Sequence, residues 1–432
     1  MLIYCKEITP RIEYIFLLLL TDILGVNITF TDDYEEFILQ PGPKINYSSL
    51  RTNEGVYIEP VELLFQSTIT EQHIEVFEYN GVKAFFKVSG EYGIPFDLFA
   101  ASFYLISRYE EYLPYKSDKH DRFQANESLA FKHNFLLQPV VNLWLEDFKK
   151  ILLKHYPQLQ FKLNNYQYIS TVDVDNGYAY LGKSWWRSIG AFVKYSFKLD
   201  LISIKERLMV LSGLKKDPFD QYELQRGIQK YYKLSLIYFL LCCKPGKNDH
   251  NILPKGKQFK KILNTLVEFG QIGIHPSYKS SKQPKRIKVE KELLEEIYGS
   301  KINKSRQHFL RMTFPDTYTA LIEAGIKEDY SMGYASHPGF RAGICVPFKF
   351  YNLKEEKTTA LTIYPFVIMD ITLIDYLKIK TCDAINLIIP LINQVKKVNG
   401  LFISVWHDRT FSNSKQYKGW NKVYEEMVKI AN

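Results

Sequence analysis

The chain has 432 residues, 46% of them hydrophobic, with 56 basic against 47 acidic side chains. That length calls for two domains, or one large one with an appendage. A net charge of +9, scattered along the chain, reads as a solvated basic surface and gives no nucleic-acid-binding stripe. The five cysteines, Cys5, Cys242, Cys243, Cys345 and Cys382, have no metal-ligand spacing and suit a reducing compartment, so a cytoplasmic protein is expected. An aromatic content of 15% fits sugar-stacking surfaces and ordinary cores equally.

In chain order, the first apolar run is "YIFLLLL", between Glu13 and Asp22. It is too short to span a bilayer and no small-residue cleavage site follows, so it reads as a core helix and no transmembrane segment is expected. "GVYIEP" and "IEVFEYNGVKAFFKV" alternate like strands, with Asn80-Gly81 as a hairpin turn. In "IPFDLFAASFYLISRYEEYLPY", Phe99, Phe103 and Ile106 recur at helical spacing between Pro95 and Pro114. Arg108, Glu110 and Glu111 at its end read as a salt-bridged surface. "QPVVNLWLEDFKKILLKHYP" is a further amphipathic helix, ended by Pro157. Residues 1–160 are expected to form a smaller α+β domain.

From 161 to 432 the rhythm changes. Apolar strand candidates at 167–175, 235–243, 270–275, 306–312, 360–370 and 400–407 alternate with amphipathic helices. Such alternation predicts a parallel α/β sheet or barrel, in which chemistry gathers at the carboxyl ends of the strands. Those ends carry Asp173 and Asp175, then His275, then Arg306, His308 and Arg311, then Asp370, and finally Trp406, His407 and Asp408. Asp173 and Asp175, at i and i+2 on a strand, point the same way and resist joint ionisation. Either a cation sits between them or one works as a base. Each residue also has a plain reading: a lone His after a strand is commonly a structural hydrogen-bonder, and Asp370 can cap the following helix. The case for a metal and acid/base site rests on convergence.

These same residues resemble the nodulation-type polysaccharide deacetylases of carbohydrate esterase family 4. The order is "TVDVD", "GIHPS", an arginine-bearing strand, and a hydrophobic strand ending in "SVWH". Nearly the whole chain resembles a branch of that superfamily common in Bacteroidetes, with an extra N-terminal domain. It shares "FDLFAASFYLISRYEEYLP", "SRQHFLRM", "DYSMGYAS", "GFRAG" and "WHD". The resemblance implies a deacetylase-type distorted (β/α) barrel and a divalent metal, for which zinc suits a His-rich set. It implies a carbohydrate or acylated-sugar substrate. Asp173 would be the general base, Asp175 and His275 metal ligands, and His407 the general acid. Arg306 or Arg311 would orient the base, with Arg341 of "GFRAG" a competitor. The family's second metal histidine is absent, because Lys279 stands four residues after His275. His308, on the neighbouring strand, is the expected replacement. Tyr334, Phe340 and Trp406 are the aromatic candidates for a sugar-binding wall. The expected function is removal of an acyl group from an amino sugar or surface-glycan precursor. Two alternatives stay open: a glycan-binding relative that has lost its metal, and hydrolysis of another C–N bond.

Overall fold

Thr9 starts the first helix. Its hydroxyl accepts from the Ile12 backbone N–H, and Pro10 follows where a missing N–H costs nothing. The helix Pro10–Phe16 widens into a π-helical stretch over Leu17–Ile23. Ile15, Phe16, Leu19 and Leu20 are fully buried, so the apolar run serves a core. This computed structural model describes residues 1–52, 54–89, 94–183, 201–414 and 416–432. The chain divides into two units. Unit 1 is Met1–Tyr166 with Gly339–Pro365 and Gln394–Gly400; unit 2 is Gln167–Pro338 with Phe366–Asn393 and Leu401–Asn432. The break anticipated at 160 thus falls after Tyr166, and unit 1 takes back two later segments.

In unit 1, β1 (Leu2–Tyr4), β2 (Thr29–Thr31), β3 (Lys44–Tyr47) and β4 (Val56–Ile58) make a parallel sheet in the order β2–β1–β3–β4. Helix Pro10–Phe16 joins β1 to β2, and helix Tyr34–Leu39 joins β2 to β3. The expected α+β domain therefore contains an α/β sheet. Its three- and four-residue strands are too short to leave an alternating pattern. β5 (Phe77–Tyr79) and β6 (Val82–Ala84) form the anticipated hairpin, with Asn80 and Gly81 at φ 50° and 75°, as a two-residue turn of this hand requires.

Helix Leu98–Ile106 is buried along its whole length. Asp97 caps it, accepting from the Ala100 N–H at 3.0 Å, the Tyr47 hydroxyl at 2.7 Å and the Val61 N–H at 2.9 Å. Beyond the helix, Arg108, Glu110 and Glu111 are ion-paired as expected but are buried, not superficial. Arg108 binds Glu110 at 2.7 Å and Glu111 at 2.8 Å, and Arg341 grips the same Glu111 at 2.6 and 2.9 Å. Mutual neutralisation is what lets these charges leave water.

Unit 2 supplies β7 (Gln167–Val174), β8 (Ser235–Leu240), β9 (Gln271–Ile274), β10 (Lys304–Ser305) and β11 (Glu328–Asp329). The chain then contributes the antiparallel hairpin of β12 (Phe348–Asn352) and β13 (Lys357–Ile363) to unit 1. It re-enters unit 2 with β14 (Ile368–Met369) and β15 (Leu401–His407). The strands of unit 2 lie in the order β14–β15–β7–β8–β9–β10–β11, and these pairings are parallel. Helices Lys257–Leu266, Lys285–Tyr298 and Asp316–Glu323 connect successive strands. The reading of 161–432 as strand–helix alternation is thus a parallel sheet with helical crossovers.

Two expected strands differ. Pairing stops at Ser305, and His308–Leu310 is a 3₁₀ turn with Phe309 and Leu310 at φ 61° and 53°. The 360–370 run is split between β13 and β14 around Pro365, which has no N–H to give a ladder.

Burial raises the Asp97 pKa to about 6, outweighing the hydrogen bonds that lower it. The folded state therefore holds this proton more tightly than the unfolded chain does, where an Asp titrates near about 3.9. Stability from this group is greatest below the unfolded value and is lost as pH rises to about 6. Urea unfolding of the parent should show a midpoint that falls across that interval. Asp97→Asn, which cannot titrate, should flatten that part of the profile; an unchanged slope would remove Asp97 as its source.

Candidate active site at the carboxyl ends of the parallel strands

Alternate residues of a strand share a face, so β7 brings Thr171 and Asp173 to one side, with Asp175 just beyond its end. The register sets His407 of β15 beside Asp173, with Phe239 of β8 on the other flank. Asp173, Asp175, His275, Arg306, His308 and His407 are all buried.

Arg306 follows β10 and reaches back under the sheet. Its Nη1 donates to Thr171 Oγ1 at 2.7 Å and to Asp173 Oδ1 at 3.0 Å, and its Nε donates to the Tyr330 carbonyl at 3.0 Å. Its guanidinium lies 4.7 Å over the Phe239 ring. Asp173 is thereby fixed by a charge-assisted hydrogen bond. Its second oxygen lies 3.7 Å from His275 Nε2.

Both histidines that face Asp175 Oδ1 are tied down through Nδ1. His275 Nδ1 meets the Arg306 carbonyl at 2.5 Å. A carbonyl only accepts, so Nδ1 carries a proton and Nε2 is the ring atom turned towards the acids. His308 Nδ1 meets Asp249 Oδ1 at 2.9 Å. The same Asp249 oxygen accepts from the Tyr278 N–H at 2.9 Å. A ligand histidine is normally oriented by a carboxylate or carbonyl in this way. The left-handed residues Phe309 and Leu310, each costing about 1 kcal/mol or more, turn the chain immediately after His308. Arg311 steadies the adjoining loop, donating to the Tyr278 carbonyl at 2.6 Å and lying 4.1 Å over its ring.

Asp175 divides its two oxygens. Oδ2 accepts from Arg409 Nη1 at 2.7 Å. Oδ1 is buried without a hydrogen-bond partner, 3.3 Å from His275 Nε2 and 3.6 Å from His308 Nε2. One ligand atom from each of Asp175, His275 and His308 falls within 4.8 Å of the others. Tetrahedral zinc holds such atoms at about 2.0–2.2 Å from itself, hence roughly 3.3–3.6 Å from one another. The unpaired oxygen and the Asp-His-His donor set fit a divalent cation. Without one, burial works to lower the His308 pKa, but Asp175 and Asp249 outweigh it and raise it to about 9. Burial would raise Asp175, but His308, His275 and His407 draw it well below the ordinary carboxylate range.

His407 ends β15 and donates from Nδ1 to Asp370 Oδ1 at 2.7 Å. Asp370 Oδ2 accepts from the His407 N–H at 2.7 Å and the Thr410 hydroxyl at 2.6 Å. Burial opposes charge on this ring, but Asp370 prevails and raises its pKa. His407 Nε2 stands 3.8 Å from Asp175 Oδ2. Of the two acids that could carry His407, Asp370 does so. Asp408 instead clamps the chain after β7, accepting from Asn176 and Gly177 N–H at 3.0 and 2.6 Å.

The structure therefore brings together Asp173, Asp175, His275, Arg306, His308 and His407. Arg341 belongs to unit 1 and is occupied by Glu111. Arg311 binds the Tyr278 loop, donating to the Tyr278 carbonyl. Tyr334, Phe340 and Trp406 are core side chains. Trp406 packs on Tyr424, 5.4 Å between centroids, because β15 is paired on both edges and buried throughout. Lys279 is exposed, so its ammonium does not fill the place of a ligand. Asp249 and Arg409 were not anticipated. Asp249 lies in a polar loop without periodicity, and Arg409 resembles any turn residue after a strand.

Residues 1–157 match a family model described as a family of unknown function, DUF7033. No curated protein matches the chain. Solved structures that resemble it include a protein of Mycobacterium smegmatis assigned as a polysaccharide deacetylase, at 13% identity and a TM-score of 0.40 over 62% of this chain and 84% of that one. A polysaccharide deacetylase of Bacillus cereus matches at 10% identity and a TM-score of 0.32, over 61% of this chain and 88% of its own. A carbohydrate esterase family 4 pseudoenzyme of Bacillus anthracis matches at 10% identity and 0.26, over 61% and 62%. Identity that low transfers no residue role, and the roles below rest on the geometry just described.

His308→Ala should abolish stoichiometric zinc binding, measured by competition against a chromophoric chelator. Asp249→Asn should keep the site but weaken it by about ten- to a hundred-fold. Full stoichiometry in the His308→Ala protein would exclude this residue as a ligand.

Proposed function

We propose that this protein is a metal-dependent hydrolase that removes an acyl group from an amino sugar or surface-glycan precursor, on a barrel-type deacetylase unit. The observation that carries this reading is the unpaired, buried Asp175 Oδ1 facing two histidine Nε2 atoms. Flanking it are an arginine-held carboxylate and a carboxylate-held histidine. Asp175, His275 and His308 would hold the cation. When bound, it supplies an acidified water and polarisation of the substrate carbonyl.

Asp173 accepts the proton of the attacking water. Arg306 keeps that carboxylate aimed and prevents its rotation, through the bond to Oδ1 and the second bond to Thr171. His407 stands beside it on the next strand and delivers a proton from Nε2 to the departing amine or alkoxide. Asp370 fixes the ring by Nδ1, so the mobile proton is the one on Nε2. Placing base and acid on adjacent parallel strands, in register, sets them side by side, where both can reach one reacting carbonyl.

What favours catalysis over a degenerate glycan-binding role is the presence of both proton-transfer residues beside a complete donor set. The cysteines, none of them in a disulfide, accord with a cytoplasmic site of action on a precursor.

The zinc- or cobalt-loaded protein should release acetate from N-acetylated amino-sugar oligomers, followed by a coupled acetate assay. Asp173→Asn and His407→Gln should each lower kcat by about 10²–10⁴-fold with little change in KM. A fully loaded protein that deacylates neither free nor polymeric acylated amino sugars contradicts the reading.

A further inference from the structure

The turn after β15 carries a feature that the reaction above does not use. Asp408–Phe411 is a short 3₁₀ turn. Its first residue pins the main chain at Asn176 and Gly177, directly beyond Asp175. Its second, Arg409, pins the Asp175 side chain by Oδ2 at 2.7 Å. The Arg409 backbone N–H in turn donates to Asp408 Oδ1 at 2.9 Å. Backbone and carboxylate of Asp175 are thus both fixed from one turn, and the oxygen left over is the unpaired Oδ1.

We propose that Arg409 is a positioning residue that restricts Asp175 to one-oxygen ligation. The proposal rests on the metal-site reading above. A carboxylate beside a cation can offer one oxygen or two. Here Oδ2 is engaged by a guanidinium, a strong and directional donor to a carboxylate, so only Oδ1 faces the histidines. A carboxylate ligand held in this way leaves coordination positions for a water and a substrate carbonyl, which a catalytic site must keep open. Arg409 also lies close enough to offset part of the carboxylate's negative charge. Its removal therefore frees a second ligand oxygen and takes away a positive charge near the cation. Both changes favour cation binding, and both work against turnover.

The test is Arg409→Met, which keeps side-chain bulk and loses the charge and donors, with Arg409→Gln as the second variant should the first not fold. Each is loaded with cobalt(II) beside the parent and His308→Ala. The expected result is that the Arg409 variant keeps one equivalent of cobalt, bound no more weakly than in the parent. Its visible absorption should weaken and shift towards that of higher coordination, while kcat falls by about ten- to a hundred-fold. A spectrum superimposable on the parent overturns the proposal while leaving the metal reading intact. Weakened binding with an unchanged spectrum also overturns it, because that marks a merely structural role. A parent protein that binds no cobalt, like His308→Ala, removes the metal reading itself and the proposal with it.

Discussion

Two carboxylates buried two residues apart at the end of one strand are the constraint around which unit 2 is organised. Each ionised acid taken out of water costs several kcal/mol unless it is paired and hydrogen-bonded. Asp173 meets this cost with Arg306, and Asp175 with Arg409 and the histidines. None of these partners is local in sequence. The pairing goes with β10 lying three strands from β7, beyond β8 and β9, and with β15 lying next to β7, which is the observed order. Sheet order and charge compensation are thus one requirement seen at two scales.

The same constraint accounts for the local irregularities. His308 is not on a strand because a strand residue there could not combine the Asp249 bond with an Nε2 facing Asp175. The backbone takes two successive left-handed residues instead. Strain of this kind persists only where surrounding contacts over-determine it. Here the Asp249 bond on one side and the Arg311 bond to Tyr278 on the other do so. The preference of β7 for a short polar exit, Asn176-Gly177, has a like cause. Both N–H groups are spent on Asp408, and Gly177 takes φ 70°, a conformation that favours glycine.

The sequence displays what is periodic and hides what is paired. β7, β8, β9 and β15 are visible as apolar runs because strands of a parallel sheet are buried on both faces. The acids and histidines at their ends stand out against that background. "RQHFLRM" also looks like a strand, since only the turn geometry reveals that Phe309 and Leu310 do not continue one. Arg108, Glu110 and Glu111 look superficial because composition cannot say that Arg341 waits to neutralise them. Arg341 itself shows the reverse error: an arginine in a glycine-rich motif looks functional, yet it is bound to Glu111 through two hydrogen bonds. Asp249 and Arg409 go unnoticed because their significance lies wholly in partners that are remote along the chain.

The division into units has its own consequence. The chain leaves unit 1 after Tyr166, returns for Gly339–Pro365, and returns again for Gln394–Gly400. The β12–β13 hairpin and the short Gln394–Gly400 segment are therefore threaded through the sequence of the other unit. Gly400 shows how fully such a segment is absorbed: a Cβ there would lie closer than contact to Cys345 Sγ. Two units laced together in this manner cannot be traded between proteins as beads on a string. A recombination point at any single position severs one of them, so the pair must be inherited, and must fold, as one gene-encoded whole.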